Sequence, residues 1–333
     1  MRITRDSLLK IANDTVIQRT RQKRGVVGVY LCGSLLNEEY LLGGTTDIDL
    51  VFVHDQPVSV SREIVGLTGE IHLDIAHHYE REYEQARLLR VHPWLGPLIN
   101  SCKILYDPQH FLDFIQASVR GQFYRPDNVL ARASKMVEVA RGIWQRYQGE
   151  TLLSEPQDVA TYLRAVVHIA NAIAGLSGSM LSERRLLISF SKCTEIVGHP
   201  GLYPGLLGLL GAPRLQPDSI DMWLSWWQEA YRAILPEQAP IRLHPARMSY
   251  YREAFEAMRR DHPLEAILWP LLNTWTLAAE NLPPTSVERQ NWQLAFEDLG
   301  LIKEGLVERI QALDAYLDLV DETLEAWGHD QGA

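Results

Sequence analysis

Apolar positions in this chain follow one period near its start and another after it. Residues 5–24 carry apolar side chains at helical spacing, the mark of an amphipathic helix. Residues 26–32, Val26-Val27-Gly28-Val29-Tyr30-Leu31-Cys32, form a run of the β-branched and aromatic type found in buried strands. Residues 47–53 predict a second strand. Residues 70–76 alternate, with Glu70, His72 and Asp74 on one face and Ile71, Leu73 and Ile75 on the other. A last short strand, 103–106, is closed by Asp107-Pro108. Between these the pattern predicts helices over 34–42, 61–67, 79–90 and 94–101.

From residue 108 onward strand periodicity disappears. Helices are predicted over 108–120, 127–148, 157–176, 180–197, 217–235, 246–260, 263–281, 286–299 and 302–327. Pro217-Asp218 starts one of them after a Gly/Pro-rich stretch at 198–217. Thr285 with Glu288 has capping-box spacing, and Gly300 suits the close of that helix. The expected fold class is α+β, with a small mixed β-sheet and flanking helices over 1–122 and an all-α domain over 123–333.

Composition narrows the function classes. The chain is 46% hydrophobic and 22% charged, as expected of a globular protein, and no apolar run reads as a membrane span. Cys32, Cys102 and Cys193 are widely spaced, which implies no disulfide framework and fits a cytoplasmic setting. A formal net charge of −10 argues against nucleic acid, which needs a basic footprint. Arg19, Arg21, Lys23 and Arg24 cluster where the first helix ends, and favourable contact with the helix dipole accounts for them. An acidic surface suits a cationic small molecule.

The candidate chemistry lies between two strands. Gly33-Ser34 ends the first strand, and twelve residues later comes Asp47-Ile48-Asp49-Leu50. Alternation sets Asp47 and Asp49 on one face. Adjacent carboxylates repel, and sharing hard divalent cations relieves that repulsion. Gly33 permits close backbone approach, and Ser34 can cap a following helix whose N–H groups would receive an anion. Gly43-Gly44-Thr45-Thr46 lacks a P-loop lysine and is expected to be a flexible lead-in to the carboxylate strand.

Leu31-Cys32-Gly33-Ser34 followed by Asp47-Ile48-Asp49-Leu50-Val51-Phe52-Val53 resembles the nucleotidyltransferase superfamily of DNA polymerase β, the aminoglycoside nucleotidyltransferases and the minimal nucleotidyltransferases. The resemblance covers about the first 120 residues. It implies Asp74 as a third carboxylate, and Asp47, Asp49 and Asp74 as catalytic residues holding two magnesium ions. It implies that Gly33 and Ser34 bind the nucleotide phosphates, with Lys103 as a further phosphate partner if it faces the cleft and as a sheet-edge cover otherwise. The implied reaction moves a nucleotidyl group, AMP from ATP in the first instance, onto a hydroxyl of a small-molecule acceptor, aminoglycoside-like in these relatives. Many small-molecule members carry Arg or Lys just after Gly-Ser, whereas this chain reads Leu35-Leu36-Asn37-Glu38-Glu39-Tyr40, so the triphosphate must find its cation elsewhere.

Alternatives stand beside this reading. A protein or RNA could be the acceptor, or the fold could serve as a non-catalytic, antitoxin-like nucleotide binder. His72, Asp74, His77 and His78 raise a transition-metal cluster, although the His-Glu-x-x-His spacing is absent. Trp223, Trp226 and Trp227 recur at helical spacing, either as an aromatic wall or, the preferred reading, as a core stripe. Glu183, Glu229 and Glu253 could meet a cationic acceptor or simply face solvent.

Overall fold

A computed structural model describes residues 3–22, 25–149, 155–178 and 180–333. Lys23 and Arg24 of the basic cluster lie outside the described residues. The chain forms two compact units. The first comprises 1–128 together with a return segment, 246–257, and the second comprises 129–245 and 258–333.

The first unit is α+β. Its five strands are β1 (Val26–Cys32), β2 (Thr46–His54), β3 (Arg62–Gly66), β4 (Ile71–Tyr79) and β5 (Lys103–Tyr106). They lie in the order β3-β4-β2-β1-β5, with β4 parallel to β2 and every other neighbour antiparallel. Helix α1 (Arg5–Gln22) covers one face of the sheet. Leu8, Ala12 and Val16 of α1 pack there on Val29, Leu31, Ile48, Leu50, Phe52, Leu73 and Ile75. The other face carries Tyr30, Cys32, Val51 and Val53. These residues are buried beneath α2 (Ala86–Leu89), α3 (Leu95–Ser101) and α4 (Phe111–Arg120) through Leu89, Ile99, Leu112, Ile115 and Val119. Along β2 this second face changes character, from apolar at Val51 and Val53 to acidic at Asp47 and Asp49.

Four expectations change. Residues 62–66 are strand β3, not a helix, and pair with β4 as Arg62↔Ala76 and Ile64↔Asp74. Five residues are too few to separate the two periods, and the ladder with β4 decides. Residues 34–42 are not a helix either. One 3-10 turn, Ser34–Leu36, ends at an extended Asn37. Leu42 to Thr45 is then a tight turn rather than a flexible lead-in. Leu42 and Thr45 exchange two backbone hydrogen bonds of 3.1 and 3.2 Å. Gly43 and Gly44 between them have φ of 60° and 72°, as a type I′ turn demands. Residues 79–90 shorten to a 3-10 turn, Glu80–Glu82, and α2.

The second unit is helical: α5 (Pro126–Tyr147), α6 (Pro156–Ser177), α7 (Leu186–Ile196), α8 (Leu202–Leu209), α9 (Ser219–Ala233), the end of α10 (Met248–Asp261), α11 (Leu268–Glu280), α12 (Val287–Asp298) and α13 (Lys303–Gln331). Helix α8 falls inside the Gly/Pro-rich stretch 198–217, for which no helix is predicted. Helix α12 is capped by Ser286, whose hydroxyl accepts from the Arg289 N–H, one residue beyond the predicted Thr285 cap. Gly300 closes that region in the left-handed conformation. Trp223, Trp227, Trp275 and Trp292 are fully buried, and Trp227 donates to the Thr274 hydroxyl at 2.9 Å. The Trp stripe is therefore core at Trp223 and Trp227, with Trp226 partly exposed. Contrary to the sequence reading, α6 is long and apolar enough to cross a membrane, but 67% of its apolar window is buried.

Candidate active site

Strand register assembles the site. Asp49 lies opposite Asp74 across the parallel β2–β4 ladder, and opposite Cys32 across the antiparallel β1–β2 ladder. Asp47 pairs with His72. Laterally paired residues share a face, so Asp47, Asp49, His72 and Asp74 all project from the acidic end of the second face. Carboxylate oxygens of Asp47, Asp49 and Asp74 lie within 4.8 Å of one another. Asp47 and Asp74 are buried, while Asp49 keeps a partly accessible surface. Depth in the cluster, then the charges of Asp47 and Asp74, hold the Asp49 carboxyl well above the usual carboxylate range. Oxygen-only donors at this spacing fit a hard divalent cation such as magnesium.

Gly33 has a structural reason to be glycine. Its φ of 78° and ψ of −161° fall in a region that only glycine enters freely. A Cβ there would sit 1.8 Å from Asp49 Oδ2. The turn after β1 and the Asp49 carboxylate are thus pressed against each other. Ser34 caps no helix. Its hydroxyl lies 3.2 Å from Thr46 Oγ1, tying the turn to the start of β2. The anion-receiving helix expected after Gly33-Ser34 is reduced to a single 3-10 turn.

Lys103 stands apart from this group. It pairs with Leu31 on edge strand β5, and Leu31 belongs to the α1 side of the sheet. Register therefore sets Lys103 on the face opposite the carboxylates, where it is exposed. The histidines also divide. His77 faces the α1 side, within 2.9 Å of His54 Nε2 and 3.0 Å of a Glu63 oxygen. His78 bonds the Tyr83 hydroxyl. His72 alone of the three lies at the acidic end of the second face, edge-on to Tyr250. Among the described residues, the carboxylate trio is the one group of three or more potential ligands with metal-site spacing.

Two arginines missed by sequence reasoning reach the trio. Arg62 of β3 binds both oxygens of Asp74, at 2.5 and 2.7 Å. Arg247 lies just before α10 and comes within 3.3 Å of Asp74 and 3.5 Å of Asp47. One positive charge thus reaches the trio from a neighbouring strand and another from the return segment. Arg62 was hidden by reading 61–67 as helix. Arg247 left one faint signal: a cation at a helix start opposes the helix dipole, and such a placement needs an anion nearby. Glu183 is held by Asn273 and Arg242 within the second unit, and Glu253 by Arg252.

No family model matches the chain, and no curated protein does. Among solved structures, a nucleotidyltransferase-like protein from Exiguobacterium sibiricum 255-15 aligns over 94% of this chain and 91% of its own. The identity is 12% and the TM-score 0.28, a likeness too distant to carry an argument about chemistry.

Proposed function

We propose that this chain is a nucleotidyltransferase that transfers a nucleotidyl group, AMP from ATP, to a hydroxyl of a small-molecule acceptor. One observation carries the reading: three carboxylates from two parallel strands converge against a glycine turn that admits no side chain. Magnesium bound there would neutralise phosphate charge and lower the pKa of the acceptor hydroxyl.

In this reading Asp47 and Asp49 hold the metal, and Gly33 and Ser34 border the phosphates. Arg62 and Arg247 supply the positive charge that the turn itself lacks. Asp74 takes the acceptor's proton after parting from Arg62, whose side chain is 45% exposed. The acceptor oxygen forms a bond to the α-phosphorus, the α–β bridge bond breaks, and pyrophosphate leaves. Positioning and charge neutralisation provide most of the rate. The acidic charge of −10 favours a small cationic acceptor over RNA, and the three separated thiols suit a cytoplasmic setting.

The double hold of Arg62 on Asp74 favours a second reading, a nucleotide binder without turnover. Both are tested by thermal shift with ATP, GTP, CTP and UTP, with and without magnesium, on wild type and on the Asp47→Asn/Asp49→Asn double variant. A ligand at a hundred times its Kd stabilises by about 2.7 kcal/mol. A magnesium-dependent shift that the double variant loses supports the site, and pyrophosphate release in an acceptor screen separates transferase from binder. A shift of equal size in the double variant would sink both.

A further inference from the structure

We propose that Arg247 is a displaceable counter-ion of the carboxylate site. It holds Asp47 and Asp74 while no divalent cation is bound, and turns to the nucleotide phosphates when one is. This rests on reading the site as a metal–nucleotide site.

The contacts of Arg247 are those of a cation held in place rather than locked. Its side chain is 6% exposed, yet its carboxylate contacts are long, 3.3 Å to Asp74 and 3.5 Å to Asp47. Arg62 grips Asp74 at 2.5 and 2.7 Å by comparison. Good charge-assisted bonds fall at about 2.7–2.9 Å and are often bidentate, and Arg247 achieves neither. Its buried Nε has no hydrogen-bond partner among the described residues. Two aromatic rings carry much of its support: the guanidinium carbon lies 5.1 Å from the ring centre of Tyr250 and 5.7 Å from that of Tyr251. Such cation–π contacts fix a guanidinium's position while leaving its in-plane donors for an anion.

Charge counting gives the direction of the coupling. Three carboxylates and two guanidiniums sum formally to −3 + 2 = −1. One divalent cation would bring the site to −1 + 2 = +1, with Arg247 then facing a like charge. A nucleotide triphosphate restores negative charge and gives Arg247 a new partner. Arg247 should therefore weaken binding of the metal alone and strengthen binding of nucleotide to the metal-loaded protein. Arg62 is not equivalent, because it is half exposed and already satisfied by both oxygens of Asp74.

The test is manganese binding by calorimetry, without nucleotide, to wild type and to the Arg247→Met, Arg247→Lys and Asp49→Asn variants. ATP is then titrated into each at saturating manganese. Methionine keeps the apolar stem and removes the charge, while lysine keeps the charge and guards against loss of fold. The expected result is manganese binding about tenfold tighter in Arg247→Met, within the usual range of coupling between sites. ATP binding should be about tenfold weaker in that variant, with Arg247→Lys closer to wild type. Unchanged or weaker manganese binding in a folded Arg247→Met protein, while Asp49→Asn loses the metal, overturns the counter-ion role and leaves the proposed function standing. Equal manganese binding by wild type and Asp49→Asn, with no ATP binding, overturns both.

Discussion

Asp49 concentrates the conflict between stability and chemistry at one residue. Burial and two neighbouring carboxylates raise its pKa in the folded state. A carboxyl with a raised folded-state pKa binds its proton more tightly folded than unfolded. Its favourable contribution is full below the unfolded pKa and is lost as pH rises through the folded one. Asp49→Asn removes that penalty. In the presence of a chelator, the variant should melt above wild type, and the gap should widen from pH 5 to pH 8. Its turnover should fall by at least about a hundredfold, as expected when a charge-stabilising group is removed. Melting curves against pH and a pyrophosphate assay read the two effects separately. A gap that narrows as pH rises would contradict the electrostatic account.

At the scale of elements, the tight turn between β1 and β2 decides where the return segment sits. A Cβ on Gly43 would lie 1.9 Å from the backbone carbonyl oxygen of Glu253. Because the obstacle is helix backbone, a side chain at 43 cannot be accommodated by a rotamer change. Thr45 Oγ1 donates to the Tyr250 carbonyl nearby, and Ser249 bonds the Gly69 carbonyl. Gly43→Ala should cost about 1–3 kcal/mol through left-handed backbone strain alone. It should also shift the start of α10, and Arg247 with it. Gly44→Ala is the control: its φ is 72°, but nothing lies within 4 Å of its would-be Cβ. Chemical denaturation of both should show the larger loss at Gly43. Equal losses would mean that strain alone matters and the α10 contact does not.

At the scale of the molecule, the first unit is discontinuous in sequence. Residues 246–257 bring it Arg247, Tyr250 and Tyr251, and with them a positive charge against Asp47 and Asp74. Residues 1–128 alone would leave those carboxylates with Arg62 as their near cation. Joined to 246–257 by a long Gly/Ser linker, the same fragment should melt several degrees higher, since about 1 kcal/mol moves the Tm of a small domain by 4–8 °C. Identical melting of the two fragments would show that the return segment contributes nothing to this unit.

Local chemistry was legible in the chain. The β-branched run of β1, the alternation of β4, the shared face of Asp47 and Asp49, and the helical period beyond residue 108 follow from side-chain periodicity, which each segment carries in itself. The α+β class follows from the order of those segments. Short segments without a full period were not legible: β3, the 3-10 turn at Ser34–Leu36 and the I′ turn at Gly43-Gly44 are decided by the ladders and contacts around them. The family resemblance already joined Asp74 to Asp47 and Asp49, but only the tertiary structure set Lys103 across the sheet and Arg62 on Asp74, because strand register is a property of pairs. The same holds most strongly for Arg247, which lies 173 positions from Asp74. Periodicity reports which way a side chain faces within its own element, and no such signal extends across that separation to say which charge will meet it.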